Sequence, residues 1–436
     1  MSVSVERSAE GRDGMGGMFR ALAHRNFRLF WAGAFLSNVG AWMQTVAQGW
    51  LVLQLTDSAF WLGVDTFMAT VPGLLLTLVA GVYADLVDRK RLVILTQLGA
   101  GLSALTLAVL VWAGALKDAS GVWIILALSF VTGCCWALAG PSYQAITVDL
   151  VRREDLANAI ALNSTQFQLA RVIGPAIAGF AMAFIGLAGC FFVNAVSYVA
   201  IIGALAQVRF GEKRAANGVA TPSDGGAASP HALNDRRALW ADLLEGFRYV
   251  RGRPRIRMLL LCTAVLSFFG SPYISMMPLF ARDVLKWGER GLSVLMATAG
   301  AGALCGALLL AYLGDFKRKG VFALGSLFSG GLCLVGFALA KHPALSLPML
   351  FSLGFSIVSF FAVCNTLLQQ LVTDEMRGRV MSMWILTFVG TMPLGSFLAG
   401  AAAQRYGAPL TLAAGGAFIA LFVALVAPLN ARRREL

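Results

Sequence analysis

The sequence predicts an all-α polytopic membrane protein of twelve transmembrane helices, built as two parallel six-helix repeats. Three observations carry that expectation. The chain of 436 residues is 58% apolar and only 13% charged, whereas a soluble domain is about 45–50% apolar and about 25% charged. Its apolar runs have the length of a bilayer-crossing helix, about 20 residues. Those runs do not alternate as the strands of a membrane barrel do. The same composition excludes a water-soluble enzyme, a secreted disulfide scaffold and a disordered chain.

In chain order, residues 1–24 form a charged, Gly-rich tail that is too polar for a secretory leader, and the apolar run after it is too long for one. A first bundle, 25–208, holds spans at about 27–54, 60–84, 91–115, 122–143, 158–184 and 187–208, each bounded by charges or turn residues. Residues 209–255 link the bundles: Gly211 to Arg237 is rich in Gly, Ala, Ser and charge. Leu239, Leu243, Phe247 and Val250 then recur at helical spacing, which predicts an amphipathic surface helix over 239–253. The second bundle, 256–429, holds spans at about 256–281, 290–313, 320–340, 344–368, 379–404 and 409–429, and 430–436 is a basic tail.

Orientation follows from Lys and Arg. With alternating spans, 28 of the 35 fall on the side of the two termini and six on the other, and Arg171 lies within a span. The excess marks the cytoplasmic side, so both termini are expected there, in a cell (inner) membrane. The net charge of +13 is thus an orientation signal, and no nucleic-acid partner is expected. The seven Cys all lie in apolar stretches without a C-x-x-C pair and read as small buried hydrophobes. No P-loop, metal-ligand cluster or nucleophile triad is present. The chain is therefore expected to be neither an enzyme nor an ATP-driven pump, and to need no cofactor.

The halves repeat. Asp85-Leu-Val-Asp88-Arg89-Lys90-Arg91 after span 2 is answered by Asp315-Phe-Lys-Arg318-Lys319 after span 8. Asp149-Leu-Val after span 4 is answered by Gln370-Leu-Val after span 10, and Gly174-Pro175 in span 5 by Met392-Pro393 in span 11. Parallel repeats of this kind place a binding site between the halves near the midplane.

The stretch from Gly81 to Arg91 resembles the signature loop of the major facilitator superfamily. Asn26-Phe27-Arg28-Leu-Phe-Trp31, with Ser37, Gly40, Trp42 and Trp50-Leu51, resembles its third drug:proton antiporter branch, which holds macrolide-type efflux pumps and enterobactin exporters. The resemblance implies the major facilitator fold and a secondary transporter, acting as a monomer, that exports a bulky amphipathic compound against inward proton flow. It carries a gating role onto Asp85, Arg89 and Lys90, with Asp315, Arg318 and Lys319 as the second copy; a plain helix cap with topogenic bases is the alternative. It also implies that Gly174, Pro175 and Gly179 act in coupling, beside their packing role.

Asp65 is the one acid well inside a span and Arg171 the one base. Charge inside a membrane is costly and marks function. Asp65 is read either as a proton carrier or as a solvated rim residue, and Arg171 either as a contact to substrate or as a structural bridge. Spans 1, 4, 7 and 10 are expected to line the cavity. Asn38, Trp42 and Gln48, Trp136, Tyr273 and Met276, and Ser356 and Asn365 are the candidate substrate residues, with interhelical packing as the alternative. Two other readings share this pattern: a lysophospholipid or nutrient facilitator on the same fold, and a sensor or scaffold that does not transport.

Overall fold

The computed structural model describes residues 19–86, 88–208, 245–314 and 316–432. The expected linker over Gly211 to Arg237, Asp315 and the tail residues 1–18 and 433–436 lie outside the described residues. Of the expected surface helix, 245–251 is helical and the part before it lies outside.

The described chain is helical nearly throughout. Helix α1 spans Arg25–Thr56, α2 Ala59–Leu86, α3 Arg89–Trp112 and α4 Val122–Asp149. Leu156–Gln207 runs on as one helix except at Gly186, whose φ of 68° and ψ of −178° break it. That conformation is open only to glycine, and it divides the stretch into α5 (156–185) and α6 (187–207). Then follow α7 Pro254–Val284, α8 Gly288–Leu313, α9 Lys319–Leu339, α10 Pro343–Leu371, α11 Asp374–Tyr406 and α12 Ala408–Arg432.

The helices follow the apolar runs, overrunning most of them by about a turn or less, while α3 stops at Trp112, short of the expected end at 115. Their ends use ordinary devices. Asp88 caps α3, its side chain accepting from the Arg91 amide at 3.0 Å. Pro254 and Pro343 open α7 and α10, where a missing N–H costs nothing. Within α7, Pro272 cannot donate back to Phe268, and the preceding turn, Leu266–Gly270, widens to π geometry.

Ten helical stretches among the described residues are long and apolar enough to cross a membrane. Large apolar side chains such as Trp112 (84% exposed) and Phe184 (82%) face outward, which suits lipid and not water.

The main helix contacts are these. In the first half α4 lies against α2 and α3, α1 against α5 and α6, and α3 against α6; in the second half α10 lies against α8 and α9, and α9 against α12. The halves meet through α2 on α11 and α5 on α8. At Gly63 the meeting is close: a Cβ there would lie 2.6 Å from the Ser396 carbonyl and 2.9 Å from the Gly400 Cα.

The two ends of the bundle differ. At the end where α1 and α7 finish, here the distal end, one hydrophobic core runs through both halves, joining Val46, Trp50 and Leu62 to Phe280, Leu292 and Leu295. At the proximal end the first half has its own core of Phe27, Phe30, Val93, Ile146 and Ile201.

Candidate functional site

A cavity of about 640 Å³ opens in the proximal part of the first half. It exists because α4 packs on α2 and α3 while α5 packs on α1 and α8, leaving α4 and α5 little contact with each other. Ser37 and Asn38 of α1 and Thr96 and Gln97 of α3 contribute to its wall. Trp136, Tyr143 and Gln144 of α4 and Asn163, Gln166, Phe167 and Gln168 of α5 are among its other lining residues. No charged side chain among the described residues lines it. Asn38 Nδ2 donates to Gln166 Oε1 at 3.4 Å, and Gln166 Nε2 donates to Asn163 Oδ1 at 3.1 Å. Amides and hydroxyls between aromatic walls suit a ligand with an apolar body and scattered hydrogen-bonding groups.

Phe167 closes the inner end. Its ring packs edge-on against Trp42, centroids 6.2 Å apart. One turn further along α5, Arg171 lays its guanidinium 5.5 Å from the centre of the same Trp42 ring and points Nη2 at Tyr273 Oη, 3.4 Å away on α7. These residues, with Met296 and Gly300 of α8, enclose a small crevice at the seam of the halves.

Asp65 is buried, 8% exposed, which removes the rim alternative. Gln48 Nε2 donates to both of its oxygens, at 2.9 and 3.0 Å, and Ser129 Oγ donates to Oδ1 at 2.6 Å. The polar chain continues: Gln44 Nε2 donates to Gln48 Oε1 at 3.3 Å, and Asn194 Nδ2 to Gln44 Oε1 at 2.6 Å. Four helices thus converge on one carboxylate. Sequence reasoning found Asp65 and Gln48 and missed Ser129, Gln44 and Asn194. The i, i+4 spacing of Gln44 and Gln48 inside an apolar helix was the available signal.

The remaining candidates are dispersed. Asn38 and Trp136 reach the cavity. Tyr273 and Met276 are fully buried at the seam side of α7. Ser356 is buried with its Oγ 2.9 Å from Ser329 Oγ, and Asn365 is half-buried, accepting from Gln369 at 2.6 Å. No residue of α7 or α10 lines the large cavity, where the sequence reading has spans 1, 4, 7 and 10 contributing together.

Gly174 faces α1, where a Cβ would stand 2.6 Å from Trp42 Cβ. Gly179 faces α8, where a Cβ would stand 2.5 Å from Ser293 Oγ. Pro175 is buried within α5.

Of the gate residues, Asp85 lies in the last turn of α2 with its side chain outside the described set, and Asp315 lies outside altogether. Arg89 Nη1 reaches Asp149 at 3.6 Å, and Lys90 Nζ donates to the carbonyls of Val208 and Ala206 at 2.9 and 3.3 Å. In the second half Lys319 Nζ donates to Gln370 Oε1 at 3.3 Å, and Arg318 takes a left-handed φ of 64° just before α9.

At the distal end there is a closure the sequence reading did not anticipate. Arg282, ending α7, pairs with Asp57 of the α1–α2 turn and with Asp283. Ser58 Oγ donates to Gln404 Oε1 of α11 at 2.8 Å. Both Asp57 and Gln404 are ordinary surface residues in sequence, and only the docking of the halves gives them meaning.

A multi-pass helical bundle with a ligand-sized cavity, a closure at one end and a buried carboxylate describes a membrane transporter, not an enzyme. Residues 16–436 match the family described as transmembrane secretion effector (MFS_3), and the chain belongs to that family of the major facilitator superfamily. The staphyloferrin A transporter of Staphylococcus aureus is 25% identical over 87% of this chain and 90% of its own length. Macrolide efflux protein A of Streptococcus pyogenes is 23% identical, covering 94% and 97%. The multidrug efflux pump Tap of Mycolicibacterium fortuitum is 26% identical, covering 92% and 95%. Among solved structures, nucleoside transporter NupG aligns with a TM-score of 0.70 at 11% identity, covering 92% of this chain and 99% of that one. A bacterial homologue of the iron transporter ferroportin aligns with a TM-score of 0.67 at 18% identity, covering 92% and 98%.

Proposed function

We propose that this chain exports a bulky amphipathic organic compound by alternating access, with inward proton flow supplying the work. The observation that carries the reading is the asymmetry of the bundle: a cavity of about 640 Å³ on the proximal side and a shared core with polar cross-links on the distal side. A binding chamber open to one side and closed to the other is one end state of a transport cycle. The names of the similar proteins, a macrolide efflux protein and a multidrug efflux pump beside a staphyloferrin A transporter, support export of an organic molecule.

The architecture belongs to the same proposal. The ten apolar stretches, with α1 added and Leu156–Gln207 divided at Gly186, make twelve spans in two bundles, 25–208 and 256–429. The basic loops favour a cytoplasmic proximal end in the inner membrane, so the described state faces inward. A parallel repeat is supported by matched contacts: Arg89 meets Asp149 where α3 begins and α4 ends, and Lys319 meets Gln370 where α9 begins and α10 ends.

Asp65 is the proton carrier of this reading. A carboxylate couples only if its protonation changes between states. The donors to Asp65, Gln48 of α1 and Ser129 of α4, belong to its own half, so in this reading the change comes from adjustment of α1, α2 and α4 within the first bundle and not from the rocking itself. Asp85 with Arg89 and Lys90, and the second copy at Asp315, Arg318 and Lys319, hold the proximal end when it closes. Gly174, Pro175 and Gly179 let α5 roll between α1 and α8.

The test is reconstitution. Purified protein in proteoliposomes moves a labelled macrolide when a pH gradient is imposed, and internal pH changes with it. Asp65→Asn abolishes the pH change. Substrate movement without proton counterflow makes the protein a facilitator or one coupled to another ion; proton flow that persists in Asp65→Asn moves the carrier elsewhere.

A further inference from the structure

Arg171 is a fixed positive charge at the seam of the halves, and its surroundings do not neutralise it. Its partners among the described residues are the face of Trp42 and the hydroxyl of Tyr273, the latter at a long 3.4 Å. No carboxylate of the described residues pairs with it. Asp65, the other charge inside the spans, is engaged by Gln48 and Ser129 nearer the distal end. A guanidinium offers five N–H donors in a planar fork. One distant phenol leaves most of that capacity unused, in a region where unmatched charge is expensive.

The group is also held in place. Gly300 lets α8 close onto the Arg171 backbone, where a Cβ would stand 2.8 Å from its carbonyl oxygen. Gly174, three residues on, lets α1 close onto the other side, against Trp42. The backbone of α5 is thus clamped between two helices at this point, and the guanidinium is aimed by the Trp42 ring rather than free to swing to the membrane surface. The large uncharged cavity lies immediately on its proximal side, behind Phe167 and Trp42.

We infer that Arg171, with Trp42 and Tyr273, is an anion-binding subsite just beyond the inner end of the cavity, reached when the Phe167–Trp42 contact parts, and that the exported compound carries a carboxylate or equivalent oxyanion that docks there. This rests on the export reading and narrows it: the amide-lined cavity takes the neutral body of the compound, and Arg171 takes its acidic group in a bidentate fork. Because Tyr273 belongs to the second half and Arg171 and Trp42 to the first, the subsite spans the surfaces that separate when the distal end opens.

Two xanthene dyes of nearly equal size test it: fluorescein, which bears a free carboxylate, and rhodamine 123, its cationic ester-bearing relative. Binding of each to the protein in nanodiscs is read by anisotropy against empty nanodiscs, and macrolide transport is measured on the same preparations. The wild type binds fluorescein in preference to rhodamine 123. Arg171→Gln weakens fluorescein binding by roughly ten- to a hundredfold and spares rhodamine 123, while Arg171→Lys keeps part of the preference. Tyr273→Phe separates this role from a structural one. It removes one hydroxyl of the subsite and the cross-half partner of Arg171 but not the charge, so the preference is reduced less than in Arg171→Gln and keeps its sign, whereas a mere latch predicts that it mimics Arg171→Gln. Equal binding of the dyes, a preference for rhodamine 123, binding of neither, or a preference that persists in Arg171→Gln overturns the inference. Macrolide transport retained in any of those cases leaves the export reading standing; a wild type that moves neither the macrolide nor fluorescein removes that reading and this inference together.

Discussion

Replacing Gly63 by alanine will shift the protein away from its distally closed state. The new methyl would sit 2.6 Å from the Ser396 carbonyl oxygen and 2.9 Å from the Gly400 Cα. Both obstacles are backbone of α11, so no rotamer change relieves them, and α2 and α11 must part by several tenths of an ångström. Inserting one methyl into a closed contact costs about 1–3 kcal/mol. The cost falls on the state in which α2 and α11 touch at this point, so the equilibrium between states moves by roughly 5- to 150-fold. Lys117 and Lys341 lie on exposed distal loops of opposite halves. Spin labels at Lys117→Cys and Lys341→Cys, in a background without the native cysteines, report the separation in nanodiscs. Gly63→Ala will add or enlarge a long-distance population. Gly203→Ala is the control, since a Cβ at Gly203 meets nothing within 4 Å. A folded Gly63→Ala protein with the distance distribution of its parent would refute the reasoning that this contact is specific to one state.

Three further outcomes follow from the same geometry. Single cysteines at Lys117 or Lys341 label from outside the cell and one at Lys90 does not; equal external labelling of Lys90 and Lys117 would reverse the orientation argued from the 28 and six basic residues. Asp85→Asn leaves the protein folded and inserted but slows transport strongly, because one of the two states loses a charge contact; a normal transport rate in proteoliposomes rejects the gate. Gln48→Leu removes two of the three hydrogen bonds accepted by Asp65 and destabilises the protein by about 1–3 kcal/mol. In thermal unfolding its effect and that of Asp65→Asn add to less than their sum, and full additivity would mean the two side chains do not act together.

Much was legible in the sequence because the membrane imposes it. Backbone groups in lipid must be satisfied within each segment, so apolar runs had to be helices, and their positions follow from composition alone. The basic loops carry an expected orientation, which the external labelling above tests. Intramembrane charge is rare enough that Asp65 and Arg171 stood out without any structure, and the small residues Gly174 and Gly179 announced close helix contacts, which they make against α1 and α8.

What the tertiary structure decided is which helices leave space and which close it. The sequence has no term for the fact that α4 and α5 lean on different neighbours, so the cavity is lined from α1, α3, α4 and α5, without α7 or α10. Nor does it say that Gln44, Gln48, Ser129 and Asn194, drawn from three helices, point along one chain of hydrogen bonds to Asp65. The distal closure is the clearest case. Asp57 and Arg282 stand 225 residues apart and carry no pattern that links them, because an ion pair between halves is fixed by how two surfaces dock. Periodicity and composition report what each helix must be; only the docking of one half on the other determines which faces meet.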